Sequence, residues 1–267
     1  MKGTYRALVL ALGVAAAAPL VAAEIKVDLG RETVGKTPQT FEPMVGTWVV
    51  AQDGADKVIM VDGRPWVASK DNPTKLLIES ARKLYGTSNE ELMDNAKQFA
   101  YYPVAVLKQV DTFENGSISV KFKTVGGESD RCSGILFNVK ANGDWLALRY
   151  NDTEHNVVLW EFHNGIRRPL IRPRDGDLLK AEGDREKWHE LRLDVDGANI
   201  TGTLDGTKVL SFVLGSAPQP GRNGAPPNPD LFPENNSVVK PPVSGKVGLW
   251  SKTDSTSYFK DYVVSPK

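Results

Sequence analysis

Along much of the chain apolar residues recur at every second position, the period of a strand with one face turned inward. The plainest stretch is 144–151, where Leu146, Leu148 and Tyr150 fall on one face and Trp145, Ala147, Arg149 and Asn151 on the other, so that neither face is wholly solvent-like. After a polar connection, Asp152 to His155, a second run carries Val157, Val158, Leu159, Trp160 and Phe162 from Asn156 to Asn164-Gly165, a pair suited to the positive φ of a tight hairpin turn. These runs predict consecutive antiparallel strands. The same alternation places Ile118, Val120 and Phe122 against Ser119, Lys121 and Lys123, and His189, Leu191, Leu193 and Val195 against Glu190, Arg192 and Asp194. Further strands are expected at Gly46 to Val50, Val58 to Val61, Gly134 to Val139, Ile200 to Leu204, Val209 to Val213, Lys246 to Ser251 and Tyr258 to Val264, with tight turns at Asp62-Gly63, Asp196-Gly197 and Asp205-Gly206.

Elsewhere the period changes or disappears. Residues 24–45 alternate weakly and are interrupted by Thr37-Pro38 and Glu42-Pro43, which reads as an N-terminal arm. Between about 72 and 99 the spacing becomes helical. Leu76, Leu77, Ala81 and Leu84 follow the start signal Asn72-Pro73-Thr74, and Ser88 with Glu91 forms a capping box ahead of Leu92, Met93, Ala96 and Phe99. The densely charged stretch from Arg167 to Lys187 reads as an exposed crossing loop, and 215–243, with eight prolines, as a long surface loop. Many short strands and one small helical insert predict an all-β protein: a single antiparallel β-sandwich over 24–267.

The first 23 residues depart from all of this. Lys2 and Arg6 precede an apolar stretch from Ala7 to Ala18, then Pro19 and the small-residue ending Val21-Ala22-Ala23, the pattern of a secretory signal peptide. Twelve apolar residues are too few to span a bilayer, and no second long apolar run follows, so no membrane span is expected. Cleavage near Ala23 would leave 244 of the 267 residues and a periplasmic or secreted protein. It would also shift the balance from 33 basic and 33 acidic residues to 31 and 33, which argues against a nucleic-acid partner. Cys132 is the single cysteine; no intramolecular disulfide is possible, and its expected role is a small buried strand residue.

Candidate chemistry gathers in the central hairpin. Arg149, Asn151, Glu154 and Asn156 offer a planar cation, two amides and a carboxylate within eight residues, near Trp145 and Trp160. Hydroxyl groups need donors and acceptors in fixed directions, and an aromatic face suits the apolar face of a sugar ring. The plainer alternative is an Arg149–Glu154 ion pair holding the connection, with the asparagines capping turns. Lys252 and Asp254, beside Trp250, are expected to join the same site from a neighbouring strand end. Other chemistries have less behind them. Glu182, Asp184 and Glu186 have the alternate spacing of a glycosidase carboxylate strand but lie in a hydrophilic loop. His155, His163 and His189 lack zinc spacing, and no motif for a metal or cofactor is present.

The string R-x-N-x-x-E-x-N-x-x-L, read as Arg149, Asn151, Glu154, Asn156 and Leu159, resembles secreted bacterial proteins of the concanavalin A-like lectin/glucanase superfamily, near the 3-keto-disaccharide hydrolase-like (DUF1080) family. W-H-x-L-R-L at Trp188 to Leu193 and G-K-V-G-L-W-S-K-T-D-S at Gly245 to Ser255 fit the same pattern, over about residues 110 to 265. The resemblance implies a jelly-roll β-sandwich and a carbohydrate or sugar-derived ligand. It leaves three functions open: an extracytoplasmic carbohydrate-binding protein, a glycan-active hydrolase or lyase, and a non-catalytic envelope interaction domain.

Overall fold

Two antiparallel sheets, each holding about half of the alternating runs, bury their apolar faces against each other. The computed structural model describes residues 23–65, 102–163, 166–171, 186–218 and 239–267. The signal-peptide pattern up to residue 22, the helical insert at 72–99, the Asn164-Gly165 pair, the carboxylates 182–184 and most of the proline-rich stretch lie outside these residues. Sheet A contains β1 (Ile25–Lys26), β3 (Thr47–Asp53), β4 (Asp56–Asp62), β6 (Gly116–Gly126), β11 (His189–Asp196), β12 (Asn199–Leu204), β13 (Thr207–Val213) and β15 (Thr256–Pro266). Sheet B contains β2 (Phe41–Val45), β5 (Val104–Leu107), β7 (Cys132–Val139), β8 (Trp145–Asn151), β9 (Asn156–His163), β10 (Ile166–Ile171) and β14 (Lys246–Trp250).

Sheet A runs β13-β12-β11-β6-β15-β4-β3, with β1 also paired to β15, and sheet B runs β10-β9-β8-β7-β14-β5-β2. The last two strands therefore complete the centres of both sheets, which ties the C-terminal motif to the middle of the molecule. Asp205 and Gly206, at φ 49° and 79°, supply the two positive φ values of a tight turn between β12 and β13.

The inner faces meet as the sequence period requires: Leu146, Leu148 and Tyr150 of β8 and Val157 and Leu159 of β9 pack against Ile118, Val120 and Phe122 of β6 and Leu191, Leu193 and Val195 of β11. On β11 buried and outward residues alternate strictly, and His189 is buried with its Nδ1 2.6 Å from Asp205 Oδ2, the inward, hydrogen-bonded position its spacing predicted. A second apolar cluster lies on the opposite side of sheet B and includes Met44, Val104, Cys132, Trp145, Val158, Trp160, Phe162 and Trp250.

Two expectations are corrected, both by proline. The supposed arm contains β2, which is wholly buried and pairs with β5 across Pro43, and the supposed charged loop begins with β10, which pairs with β9 and places Pro169 opposite Trp160. A proline removes a ladder hydrogen bond and so argues against a central strand; β2 and β10 are the two edges of sheet B, where one side of the strand needs no partner.

Candidate functional site

Three connections meet at one end of sheet B. The 127–131 segment crosses from β6 to β7, 152–155 joins β8 to β9, and 251–255 crosses from β14 to β15. Backbone bonds hold them together: Asp152 N–H donates to the Arg131 carbonyl at 2.8 Å, and Asp254 accepts the N–H groups of Glu128, Ser129 and Asp130 at 2.7–3.1 Å. Asp254, one of the expected ligand-binding residues, therefore fixes the 127–131 connection. Burial pushes the Asp254 carboxyl up, and the three N–H groups outweigh that and hold it below the ordinary aspartate value.

Register sets the next level. Strand pairing places Trp250, Gly134, Arg149 and Val158 side by side on the outward face of sheet B. A side chain at Gly134 would meet the Leu148 carbonyl oxygen at 2.8 Å and Trp250 Cε3 at 3.3 Å, so glycine lets the Trp250 ring lie close to the sheet beside Arg149. Trp250 is fully buried, stacked on Tyr102 and edge-on to Trp145. Trp250, one of the expected ligand-binding residues, is a wall of the second cluster with no exposed ring face.

Arg149 is the centre of the polar end. It is 3% exposed, and removing a guanidinium from water requires partners. Nη1 donates to Glu154 Oε2 and Asn156 Oδ1, and Nη2 to Glu154 Oε2, each at 3.1 Å, while Asn156 Nδ2 donates to the same Glu154 oxygen at 3.2 Å. Burial raises the Glu154 pKa, but the Arg149 charge and the bonds from Arg149 and Asn156 outweigh it and leave the carboxyl below the ordinary glutamate value. All of these bonds use Oε2. The Glu154 side chain is 49% exposed, and Oε1 has no bond within the described residues. The plainer sequence alternative is thus also present: the ion pair exists, and Asn151 Oδ1 caps the connection by accepting Thr153 N–H at 2.8 Å.

Asn151 also reaches sideways. Its Nδ2 donates to Asp130 Oδ1 at 3.1 Å, and the other Asp130 oxygen lies 2.7 Å from Lys252 Nζ and accepts Thr253 Oγ1–H at 3.1 Å. The expected convergence of Arg149, Asn151, Glu154, Asn156 and Lys252 at one end of the sheet is present, with Asp130 as the link. Trp160 lies beside them, 4% exposed, with the Arg149 guanidinium carbon 5.7 Å and that of Arg167 4.0 Å from its ring centre. Asp130, Arg167 and Tyr102 are absent from the sequence-derived set. Arg167 lies eight residues beyond Leu159, and reading its segment as a loop removed it from the sheet.

Cys132 is buried beneath this network, and burial, opposed by the Arg149 charge, pushes its thiol up to about 12, consistent with a packing role. Among the described residues no group of three His, Cys, Asp or Glu is placed to hold a metal ion. The arrangement presents a fixed acceptor, amide groups and cations beside aromatic rings, which can bind a polyhydroxyl ligand.

No family model matches the chain, and no curated protein sequence matches it. Solved structures do resemble it in fold. A carbohydrate binding module, CBM66 from Bacillus subtilis, superposes with a TM-score of 0.52 at 13% identity, covering 88% of this chain and 99% of that one. A protein of unknown function with a galectin-like fold from Bacillus subtilis gives 0.46 at 12% identity over 85% and 89%, and a putative glycosyl hydrolase from Parabacteroides distasonis 0.39 at 18% over 62% and 87%. At these identities the likeness is one of fold, and the first comparison carries it: the antiparallel sandwich is a jelly roll, as the resemblance to the concanavalin A-like superfamily implied. The finer resemblance to the 3-keto-disaccharide hydrolase-like family has no matching family model behind it.

Proposed function

We propose that this chain is a carbohydrate-binding protein that meets its ligand at the polar end of the outward face of sheet B, through Glu154, Asn156 and Arg149. Asn151, Asp130 and Lys252 hold that end in shape. The observation that carries this reading is the position of Glu154. A guanidinium only 3% exposed grips one oxygen of a carboxylate that is 49% exposed, and among the described residues the other oxygen accepts no hydrogen bond. An ion pair needed only for surface stability would not require a buried Arg149, since exposed pairs contribute about 0–1 kcal/mol. An acceptor fixed from behind loses little freedom when a hydroxyl binds it, and that is the property a sugar site needs.

Two further facts support the reading: the fold is shared with a carbohydrate binding module, and the N-terminal 23 residues have the pattern of a leader that would deliver the protein to the periplasm or the exterior, where glycans are met. Neither specifies a sugar. The test is isothermal titration of the purified chain with ligands first identified on a glycan array. Glu154→Gln keeps the shape and removes the anionic acceptor, and is expected to weaken binding about tenfold, the cost of a charge-assisted hydrogen bond. If the wild-type chain retains no glycan, or the variant binds as tightly as the wild type, the reading is wrong.

A further inference from the structure

Arg167 is the charge that the network leaves over. Its guanidinium carbon lies 4.0 Å from the ring centre of Trp160 and 4.9 Å from that of Tyr102, and among the described residues it has no ion pair and no hydrogen-bond acceptor. Two ring faces offset part of the loss of water but accept none of its five N–H groups in the manner of a carboxylate. Arg149 shares the Trp160 ring at 5.7 Å, so two like charges stand about one indole. Burial pushes Arg167 below the ordinary arginine value, and the Arg149 charge adds to that push.

The surrounding groups lean the same way. The carboxylates at this end are engaged elsewhere: Glu154 with Arg149, Asp130 with Lys252, Asp152 with Arg131 at 4.0 Å, and Asp254 with the backbone N–H groups of 128–130, and none of these contacts reaches Arg167. Among the described residues Arg149 Nε, Trp145 Nε1 and Trp250 Nε1 are buried on the same face with no hydrogen-bond partner. Each of these atoms can only donate. None of these donors can serve Arg167 as an acceptor, and a guanidinium short of an acceptor favours a ligand that brings negative charge.

We infer that the sugar bound at this site is acidic, bearing a carboxylate or sulfate that pairs with Arg167 between Trp160 and Tyr102; the inference rests on the carbohydrate-binding reading above. A neutral sugar would satisfy Glu154 and Asn156 but leave the half-buried Arg167 as it is. Guanidinium is suited to either anion, because its paired N–H groups match the two oxygens of a carboxylate and two of a sulfate.

The experiment uses the full chain and two pairs of polymers, polygalacturonate with its fully methyl-esterified form and dextran sulfate with dextran, titrated at 0.15 M salt. Within at least one pair the charged polymer is expected to bind about tenfold more tightly than its neutral partner, the scale of one bidentate charge-assisted contact. The pair that responds identifies the anion as carboxylate or sulfate. In Arg167→Gln that ratio falls towards one, whereas Lys260→Gln, on the far side of the molecule, leaves it unchanged. If the wild-type chain binds a neutral polymer as tightly as the charged ones, the ligand is a neutral sugar and only this inference falls. If Lys260→Gln lowers the ratio as much as Arg167→Gln does, the attraction is non-specific and the inference falls as well. Failure to retain any of the four polymers, together with failure to retain any glycan on a mixed array, removes the carbohydrate reading and this one with it.

Discussion

The outward faces of the two sheets obey one alternation rule and reach opposite ends. On sheet A outward charges pair with one another: Lys121 with Asp261 at 2.9 Å, Lys123 with Asp53 and Lys260 with Asp56 at 2.5 Å, and Arg192 with Asp194 at 2.7 Å. Trp188, half-buried, lies under the ammonium groups of Lys123 and Lys260. An open groove of about 540 Å³ beside β1, β4 and β15 is lined by Asp28, Asp56, Lys57, Lys260 and Asp261, and Lys57 is already bonded to the carbonyls of Gly30 and Glu32. On sheet B the outward face is buried and aromatic, and it holds Arg167 with no ion pair among the described residues. The difference shows where chemistry is stored. Exposed charges that pair locally keep a sheet soluble, whereas charges held out of water and incompletely matched are costly unless something binds them.

The comparison predicts a ranking of effects. The largest belongs to the buried aromatic wall: Trp250→Ala is expected to cost about 3–5 kcal/mol, lowering the thermal midpoint by roughly 10 °C in calorimetry, with no polar group gained or lost at the surface. Arg149→Met comes next, at about 2–3 kcal/mol in urea unfolding. It removes three bonds, but Glu154 is half-exposed and returns to water, so the penalty stays below that of a fully buried broken pair; sugar binding is abolished.

The pH dependence of Glu154 is smaller. Its carboxyl titrates below the unfolded value of 4.5, so its stabilising contribution is fully present above 4.5 and is lost as the pH falls through the lower folded value. Wild-type urea midpoints are therefore expected to drop more steeply than those of Glu154→Gln between pH 5 and pH 3, on the order of that window. The smallest effect belongs to sheet A. Arg192→Ala or Lys121→Ala is expected to change stability by less than about 0.5 kcal/mol and to leave glycan binding unchanged. A large loss there would break the comparison.

Much of the sheet arrangement is legible in the sequence because side-chain direction has a period of two. Leu146, Leu148 and Tyr150 can be separated from Trp145, Arg149 and Asn151 without any structure, and apolar residues on both sets already show that each face of β8 is covered. What escaped depends on position within the sheet or on distant pairing. Pro43 and Pro169 stop a strand only where both neighbours need hydrogen bonds, and edge position is a property of the topology, invisible locally. Asp130 is 21 residues from Asn151 and more than 120 from Lys252 and Thr253, and only the two crossings between sheets bring them together. Asp254 joins the expected site because it follows a tryptophan and a lysine; its bonds to three backbone N–H groups of a remote connection are invisible locally.

The most direct test of the account is a two-dimensional nitrogen–proton NMR titration of the full chain with the glycan retained best on an array, following the tryptophan indole N–H signals. If the ligand is met at the polar end of sheet B, the Trp160 indole signal and the Arg149 Nε–H signal shift together with a single affinity, while the Trp188 signal on sheet A stays in place. A shift at Trp188 with Trp160 and Arg149 unmoved would place binding on the other face and contradict the account.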